Sequence, residues 1–293
     1  MIHRTFGESG LTVSLLGLGA GHIGDPAMEE QKVVTLLNGA LDLGINLIDT
    51  ARSYGLSEER IGKHLSGRRK EFILSTKGGY TYRDKPDWSF EATMGTVDEA
   101  LVKLRTDYID IFHLHSCDRW VLEKEETILA LEKAKEQGKV RVIAYSGEND
   151  ALSYAIETGR FGSLQCSANL FDQHGIDHQI RMARERGIGI IGKRPLGNAV
   201  WRYESRPEGH GHAEYYDRYR IMGLEPAGIP WEELALRFAA YSTGIDCLIA
   251  GTSNPDHLVS NLKLLEKGPL PEDLINRIRI TYMEHGREWP GLI

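Results

Sequence analysis

Cysteine is scarce in this chain of 293 residues, which contains only Cys117, Cys166 and Cys247. An odd number of widely separated cysteines does not suit a disulfide framework and is typical of a protein in a reducing compartment. We interpret all three as small apolar side chains that fill the interior. We therefore expect the fold to depend on ordinary packing and hydrogen bonding.

Long hydrophobic runs and clusters of positive charge are also missing. No apolar run approaches the length of a membrane span, and the first ten residues, MIHRTFGESG, lack the apolar core of a signal peptide. Lys and Arg number 35 against 42 Asp and Glu, which gives a net charge of −7 without basic blocks. This balance argues against nucleic-acid binding. We expect a cytoplasmic protein that binds neither nucleic acid nor a membrane, and the sequence leaves its oligomeric state open.

Apolar runs typical of β-strands alternate with amphipathic helical stretches along almost the whole chain. The predicted core strands cover residues 14–19, 45–49, 72–77, 108–115, 140–146, 163–167, 188–193 and 246–251. The predicted helices cover residues 28–43, 57–65, 90–105, 124–137, 151–158, 174–186, 231–241, 255–265 and 271–284. Eight βα units in a chain of this length predict an α/β fold, the (β/α)8 TIM barrel, as a single domain over residues 1–293.

Two further features belong to the expected barrel. Residues 1–13, with turn chemistry at Glu8, Ser9 and Gly10, predict a β-hairpin that covers the barrel floor. Long connections at residues 80–89, 116–123 and 196–230 follow the third, fourth and seventh strands, on the face where barrel enzymes keep their sites. The longest is rich in Tyr, His and Gly, and we expect it to cover a substrate, with a merely mobile flap as the alternative.

Four polar residues stand where predicted strands end. Asp49 and Tyr54 follow the second strand, Lys77 ends the third and His115 ends the fourth. Neighbouring strands lie about 4.8 Å apart, so these groups can converge at one rim.

That combination suits proton donation to a carbonyl. Hydride reduction of a carbonyl creates an alkoxide, which needs a proton donor and a polarising partner. A free phenol is a weak acid with a pKa of about 10, and a neighbouring ammonium lowers that pKa. We expect Tyr54 to donate the proton, Lys77 to tune it, Asp49 to hold Lys77, and His115 to orient the substrate oxygen. Each residue alone has an ordinary structural explanation, so the hypothesis depends on their joint occurrence.

Motifs along nearly the whole chain carry a family resemblance. They read RTFGESGLTVSLLGLGAG, GINLIDTARSYG, STKGG, DYIDIFHLH and GTSNPDHLVSNL. The chain resembles the aldo-keto reductase superfamily, whose members are (β/α)8 barrels that transfer a hydride between a nicotinamide cofactor and a carbonyl or alcohol. The resemblance implies Tyr54 as the general acid, Lys77 and Asp49 as its tuning pair, and His115 as the orienting group.

The resemblance also implies contacts with NADP(H) or NAD(H) and no metal requirement. Ser146 and Gln165 would meet the carboxamide, and the loop that contains Leu196 would run beside the pyrophosphate. The adenosine end would lie at the start of a helix, whose N-terminus suits phosphate, among Gly251, Thr252, Ser253, His257 and Asn261.

Some positions depart from the common family pattern. Lys193 and Arg194 stand where many members have an aromatic residue followed by a Ser, and that aromatic residue stacks on the nicotinamide. A lysine or arginine stem could cover the same ring face. The charge of that side chain would raise the local positive potential. Gly147 replaces an Asn beside the carboxamide site. Gly251 and His257 stand where a basic pair is usual, and since a 2′-phosphate prefers Arg or Lys, the choice between NADP and NAD stays open.

The segment 19–24, GAGHIG, matches the G-x-G-x-x-G dinucleotide fingerprint. We reject that interpretation because Asp25 and Pro26 follow at once and predict a helix that starts only after Gly24. A Rossmann domain would also not need eight βα units.

Two other functions remain as alternatives. His113 and His115 form an H-x-H pair like those of metal-dependent barrel hydrolases, with Asp49 and Asp110 as possible further ligands. Some barrels of the family are instead cofactor-sensing, non-catalytic subunits. The preferred prediction is an oxidoreductase acting on an aldehyde, ketone or sugar, in a pocket lined by His22, Tyr54, Tyr80, His115, Trp120 and parts of residues 196–230.

Overall fold

A two-stranded antiparallel hairpin opens the chain in the computed structural model, which describes residues 1–176, 178–209 and 211–293. Its strands are β1 (His3–Phe6) and β2 (Leu11–Ser14). Phe6 and Val13 are fully buried and pack in one apolar cluster with side chains from the barrel strands. The hairpin therefore covers one end of the barrel, and the sequence prediction of a floor-covering hairpin is confirmed.

Eight parallel strands form the closed barrel. They are β3 (Leu16–Gly19), β4 (Leu47–Asp49), β5 (Ile73–Gly78), β6 (Ile109–His115), β7 (Val140–Ser146), β8 (Ser163–Ser167), β9 (Gly189–Lys193) and β10 (Cys247–Gly251). Each strand pairs with the next along the chain, and β10 pairs back with β3. The predicted fold class is confirmed, and every predicted core strand is found within two residues of its expected bounds.

Helices connect the strands and cover the barrel. They are α1 (Glu30–Asp42), α2 (Ser57–Leu65), α3 (Phe90–Leu104), α4 (Arg119–Glu123), α5 (Glu126–Glu136), α6 (Asn149–Glu157), α7 (Gln179–Glu185), α8 (His212–Met222), α9 (Trp231–Tyr241), α10 (Pro255–Leu265) and α11 (Glu272–Gly286). Leu, Ile, Val and Ala side chains from these helices face the outer surface of the barrel and form the main core with it. No described helix has both the length and the apolar character needed to cross a membrane.

Three expectations about local structure need correction. The first regular helix, α1, begins at Glu30 after Gly24, as expected, but Asp25 is not its N-cap: the side chain of Asp25 accepts the N–H of Ala27 and closes a separate turn before the helix. The connections expected at residues 116–123 and 196–230 contain α4 and α8. The predicted helix over residues 174–186 starts later, at Gln179, and Asp177 within it, like His210 in the longest connection, lies outside the described residues.

Candidate active site

The carboxyl ends of the strands surround a cavity of about 700 Å³. Its lining includes the predicted residues His22, Asp49, Tyr54, Tyr80, His115, Ser146, Gln165, Lys193, Arg194, Leu196 and Gly251. The residues of this set from His22 to Gln165 come from the strands β3 to β8 or from the loops that follow them. They meet because parallel strands bring all their carboxyl ends to one rim. Most of the predicted site residues are therefore brought together at one place.

Asp49 and Lys77 form a buried ion pair at the end of β4 and β5. The Lys77 ammonium donates to Oδ2 of Asp49 at 2.6 Å and to the carbonyl of Thr50 at 2.8 Å. Burial acts to lower the pKa of Lys77, but attraction to Asp49 and to Tyr54 outweighs it, and the net shift is upward. Lys77 is therefore a fixed positive charge below the cavity.

Tyr54 lies in the loop after β4, above that charge. The Lys77 nitrogen is 5.2 Å from the centroid of the Tyr54 ring, and the described hydrogen bonds of this ammonium go to Asp49 and Thr50. The ring of His115 meets the Tyr54 ring edge to face, with the centroids 5.9 Å apart. The phenol, the ammonium, the carboxylate and the imidazole thus occupy one small region.

His115 is electrically neutral in this setting. Burial, and then the positive charge of Lys77, lower the pKa of His115 to about 3. Its Nδ1 lies 3.3 Å from the hydroxyl of Tyr80. A neutral imidazole donates a hydrogen bond from one ring nitrogen and accepts one at the other, which suits a group that orients a substrate oxygen.

A hydrogen-bond chain joins this cluster to the predicted carboxamide site. Oδ1 of Asp49 accepts from Ser75 Oγ at 2.8 Å and from Gln165 Nε2 at 2.9 Å. Oε1 of Gln165 in turn accepts from Ser146 Oγ at 3.1 Å. Gln165 has a second N–H and a second lone pair on its oxygen, so this pair can still bind an amide. The donor set therefore fits a nicotinamide carboxamide.

His113 lies deeper in the barrel than His115. It is fully buried, its Nε2 is 3.1 Å from Ser75 Oγ, and burial holds its pKa well below the ordinary value. Asp110, at the opposite end of β6, pairs with Arg69 and Arg141. Within the described ranges no group of three or more His, Cys, Asp or Glu side chains is arranged to hold a metal ion. The geometry gives no support to the H-x-H metal hypothesis.

The three cysteines are all buried and free. Burial raises the pKa of each thiol well above its ordinary value, which keeps the thiols protonated. This agrees with their interpretation as apolar filler.

Lys193 and Arg194 reach the cavity at the end of β9, and both are engaged by groups that sequence reasoning missed. The Lys193 ammonium lies 3.1 Å from Oε1 of Glu148, and only 3 % of the Glu148 side chain is exposed. Arg194 has a left-handed backbone conformation, with φ of 54°, and donates to the carbonyl of Leu292 at 2.6 Å. Burial raises the pKa of Glu148, and the Lys193 charge opposes that shift. The Lys193 ammonium thus has its acidic partner within the protein.

The last residues of the chain are bound to this region by several hydrogen bonds. Asn149 exchanges two with Gly291, Asp172 accepts the N–H of Leu292, and Arg218 donates to the carbonyl of Pro290. Ile293 lines the cavity as a result. Asn198 and His212 also line it, and both belong to the connection 196–230, parts of which were expected to contribute to the pocket. Ser116 lines it without having been predicted, although its place directly after His115 at the strand end was a local sequence signal.

The predicted adenosine site extends from Gly251 into the turn before α10. Asn254 caps this helix through a hydrogen bond from the N–H of Asp256, and Pro255 occupies its first turn. Thr252 and Asn261 are buried, and Oγ1 of Thr252 lies 2.9 Å from Nδ1 of His257. Ser253 is exposed in the same turn.

The expected substrate residues separate into two places. His22 and Tyr80 line the cavity with Tyr54. Trp120, on α4, lies instead in a neighbouring cavity of about 370 Å³, with its indole N–H donating to Asp118. A part for Trp120 in substrate binding stays a prediction.

A closed barrel with a cavity at the carboxyl ends of its strands is the architecture of barrel enzymes, which keep their active sites at that end. The chain belongs to the aldo/keto reductase family, whose model matches residues 15–282.

Known proteins resemble the chain over most of its length. It is 30 % identical to L-galactose dehydrogenase of Arabidopsis thaliana over 278 residues, which cover 88 % of this chain and 86 % of the relative. It is 27 % identical to D-threo-aldose 1-dehydrogenase of a Pseudomonas species over 295 residues, covering 86 % and 89 %. The structure of an aldo-keto reductase from Bacillus halodurans in its holo form matches with a TM-score of 0.82 and 28 % identity, covering 96 % of each chain. The chain is thus an oxidoreductase of the aldo-keto reductase type.

Proposed function

We propose that this protein is an NAD(P)(H)-dependent oxidoreductase in which Tyr54 is the general acid and base for a carbonyl or alcohol substrate. The observation that carries the proposal is the buried Asp49–Lys77 pair, with Tyr54 and His115 at the same end of one cavity. A phenol, a fixed ammonium and a neutral imidazole at one point are the groups that carbonyl reduction needs.

Tyr54 gives its proton to the substrate oxygen in the reduction and takes one in the reverse oxidation. The Lys77 ammonium stabilises the phenolate that forms, because it is held near the ring by Asp49 and Thr50. Asp49 is held in turn by Ser75 and Gln165, so the charge below Tyr54 has a fixed position.

His115 orients and polarises the substrate oxygen. Its pKa of about 3 means that it acts as a neutral donor at physiological pH. Its position against the Tyr54 ring lets one oxygen contact both side chains.

Ser146 and Gln165 would hold the carboxamide of the cofactor, with Lys193 and Arg194 beside the ring and Leu196 along the pyrophosphate. Gly251, Thr252, Ser253, His257 and Asn261 would surround the adenosine end, at the capped start of α10. When bound, the nicotinamide supplies or accepts the hydride. The preference between NADP and NAD is left to experiment.

A sugar is the substrate class with most support. Two relatives are named for dehydrogenation of L-galactose and of D-threo-aldoses. The cavity offers a polyhydroxylated ligand several hydrogen-bonding partners: the hydroxyl of Tyr80, the ring nitrogens of His22 and His212, and the side-chain amide of Asn198. Oxidation of a sugar hemiacetal at C1 is therefore preferred to reduction of a simple aldehyde or ketone.

The test is a substrate panel followed by the absorbance of reduced nicotinamide. Aldoses with oxidised cofactor, and aldehydes and ketones with reduced cofactor, are each assayed with NAD and NADP forms. Turnover of aldoses that disappears in Tyr54→Phe supports the proposal. Tight cofactor binding without turnover of any panel member would favour the cofactor-sensing alternative, and turnover that is lost on chelation and restored by a divalent metal would favour the metal hypothesis.

A further inference from the structure

Lys193 ends strand β9 at the cavity wall, between Ser167 on β8 and Ile249 on β10. Its side chain is only 12 % exposed, so the four methylene groups are largely enclosed. A lysine in such a place can present either its apolar stem or its charge to the cavity. Its partner decides which of the two is presented.

That partner is Glu148, in the loop between β7 and α6. Oε1 of Glu148 lies 3.1 Å from the Lys193 nitrogen and also accepts the backbone N–H of Ser167 at 2.7 Å. The other side of the Glu148 side chain packs against the backbone of Gly291, where an added Cβ would lie 3.0 Å from Oε2. The carboxylate is therefore fixed on two sides, and it fixes the ammonium in turn.

We propose that Glu148 is a positioning residue for the cofactor: it holds the Lys193 ammonium at the side of the cavity, so that the methylene stem of Lys193 receives the nicotinamide ring. This inference rests on the proposed function. It keeps the expectation that the stem of Lys193 covers the ring face and differs from the expectation that its charge raises the local positive potential.

The charge of the ring makes the proposal specific. The nicotinamide ring is cationic in the oxidised cofactor and neutral in the reduced one. An ammonium released from Glu148 would repel the oxidised form, since like charges a few ångströms apart interact strongly near a protein surface. It would act much less on the reduced form, and hardly at all on a ligand that lacks the ring.

The experiment measures dissociation constants by quenching of tryptophan fluorescence for oxidised cofactor, reduced cofactor and ADP-ribose. The variants are Glu148→Gln, Lys193→Met and the double variant. Glu148→Gln should weaken the binding of oxidised cofactor about tenfold and that of reduced cofactor by about threefold or less. Its affinity for ADP-ribose should be unchanged. The double variant, which keeps an apolar stem without any charge, should return the ratio of oxidised to reduced affinity to the wild-type value.

The control is Glu233→Gln, on α9, which removes the carboxylate that pairs with Arg237 and with the half-exposed Lys267, away from the cavity. It should change none of the three affinities. Three outcomes would overturn the proposal. The ratio of oxidised to reduced affinity could stay unchanged in Glu148→Gln, the affinity for ADP-ribose could fall equally in that variant, or the ratio could fail to recover in the double variant. If Glu148→Gln does not fold, the double variant becomes the test by itself. A loss of cofactor affinity in the double variant would mean that the Lys193 charge itself binds the cofactor, which contradicts the proposal. Wild-type protein that binds neither nicotinamide cofactor would instead reject the proposed function.

Discussion

The ammonium nitrogen of Lys77 lies 2.6 Å from Oδ2 of Asp49, and both side chains are at most 2 % exposed. Side chains of β5 and β8 also hold this pair in place, because Oδ1 of Asp49 accepts hydrogen bonds from Ser75 and Gln165. If the proposed function is correct, catalysis and stability depend on the same atoms here, so variants must be designed to separate the two.

Replacing Lys77 by Met should destabilise the protein. The carboxylate of Asp49 would be left buried without its counter-charge, and we expect the free energy of unfolding to fall by about 3–5 kcal/mol. Urea unfolding measures this loss. The double variant Asp49→Asn/Lys77→Met should recover most of the stability, because no charge remains, and still lack turnover; recovered turnover would contradict the role of Lys77.

Replacing Tyr54 by Phe should remove the proton donor and leave the cavity otherwise unchanged. We expect kcat to fall by about a hundredfold or more, the usual size for loss of a general acid, with cofactor affinity retained. Steady-state rates and a fluorescence titration check the two parts. Tyr108→Phe is the matched control, since Tyr108 packs against Arg69 and Arg141 beside the start of β6, and its rate should match the wild type.

Cofactor choice should respond to charge at the start of α10. His257→Arg introduces a guanidinium that can pair with a 2′-phosphate, so the ratio of NADP to NAD affinity should rise about tenfold. Gly251→Arg should act in the same direction, although its new Cβ lies 3.0 Å from the ring of His22, which must shift. His285→Arg, exposed on α11, is the control. An unchanged ratio in both test variants would mean that the adenosine site is assigned incorrectly.

Acid should destabilise the protein partly through His115. An unfolded histidine gains a proton near pH 6.5, whereas the folded pKa is about 3, so the unfolded state binds more protons between these values. The free energy of unfolding should therefore fall as the pH drops from about 6.5 toward 3. In His115→Asn that fall should be shallower by up to about 1.4 kcal/mol per pH unit. Urea unfolding from pH 7 to 4 measures it, with exposed His285→Asn keeping the wild-type slope.

The strand pattern could be predicted from the sequence because buried parallel strands are short, apolar and separated by helices of ordinary amphipathic pattern. Helix α8 could not be predicted, since its sequence HAEYYDRYRIM buries Tyr215 and Arg218, which look like surface residues. Their burial depends on distant partners: Tyr215 donates to Asp172, and Arg218 donates to the carbonyl of Pro290.

The same limit applies to the site. Asp49, Tyr54, Lys77 and His115 could be placed at one rim because each follows a recognisable strand. Glu148 could not be assigned to Lys193, because 45 positions of chain separate them and nothing local in either segment indicates the pair. Which side chains meet across the barrel depends on how the sheet closes, and no short stretch of sequence contains that information.

The bound segment 290–293 also constrains how the molecule can be handled. Since Ile293 lines the cavity and the carbonyl of Leu292 is held by Arg194, any polypeptide joined after Ile293 would emerge beside the mouth of the cavity. Purification handles and fused reporters are better attached before Met1, at the other end of the barrel.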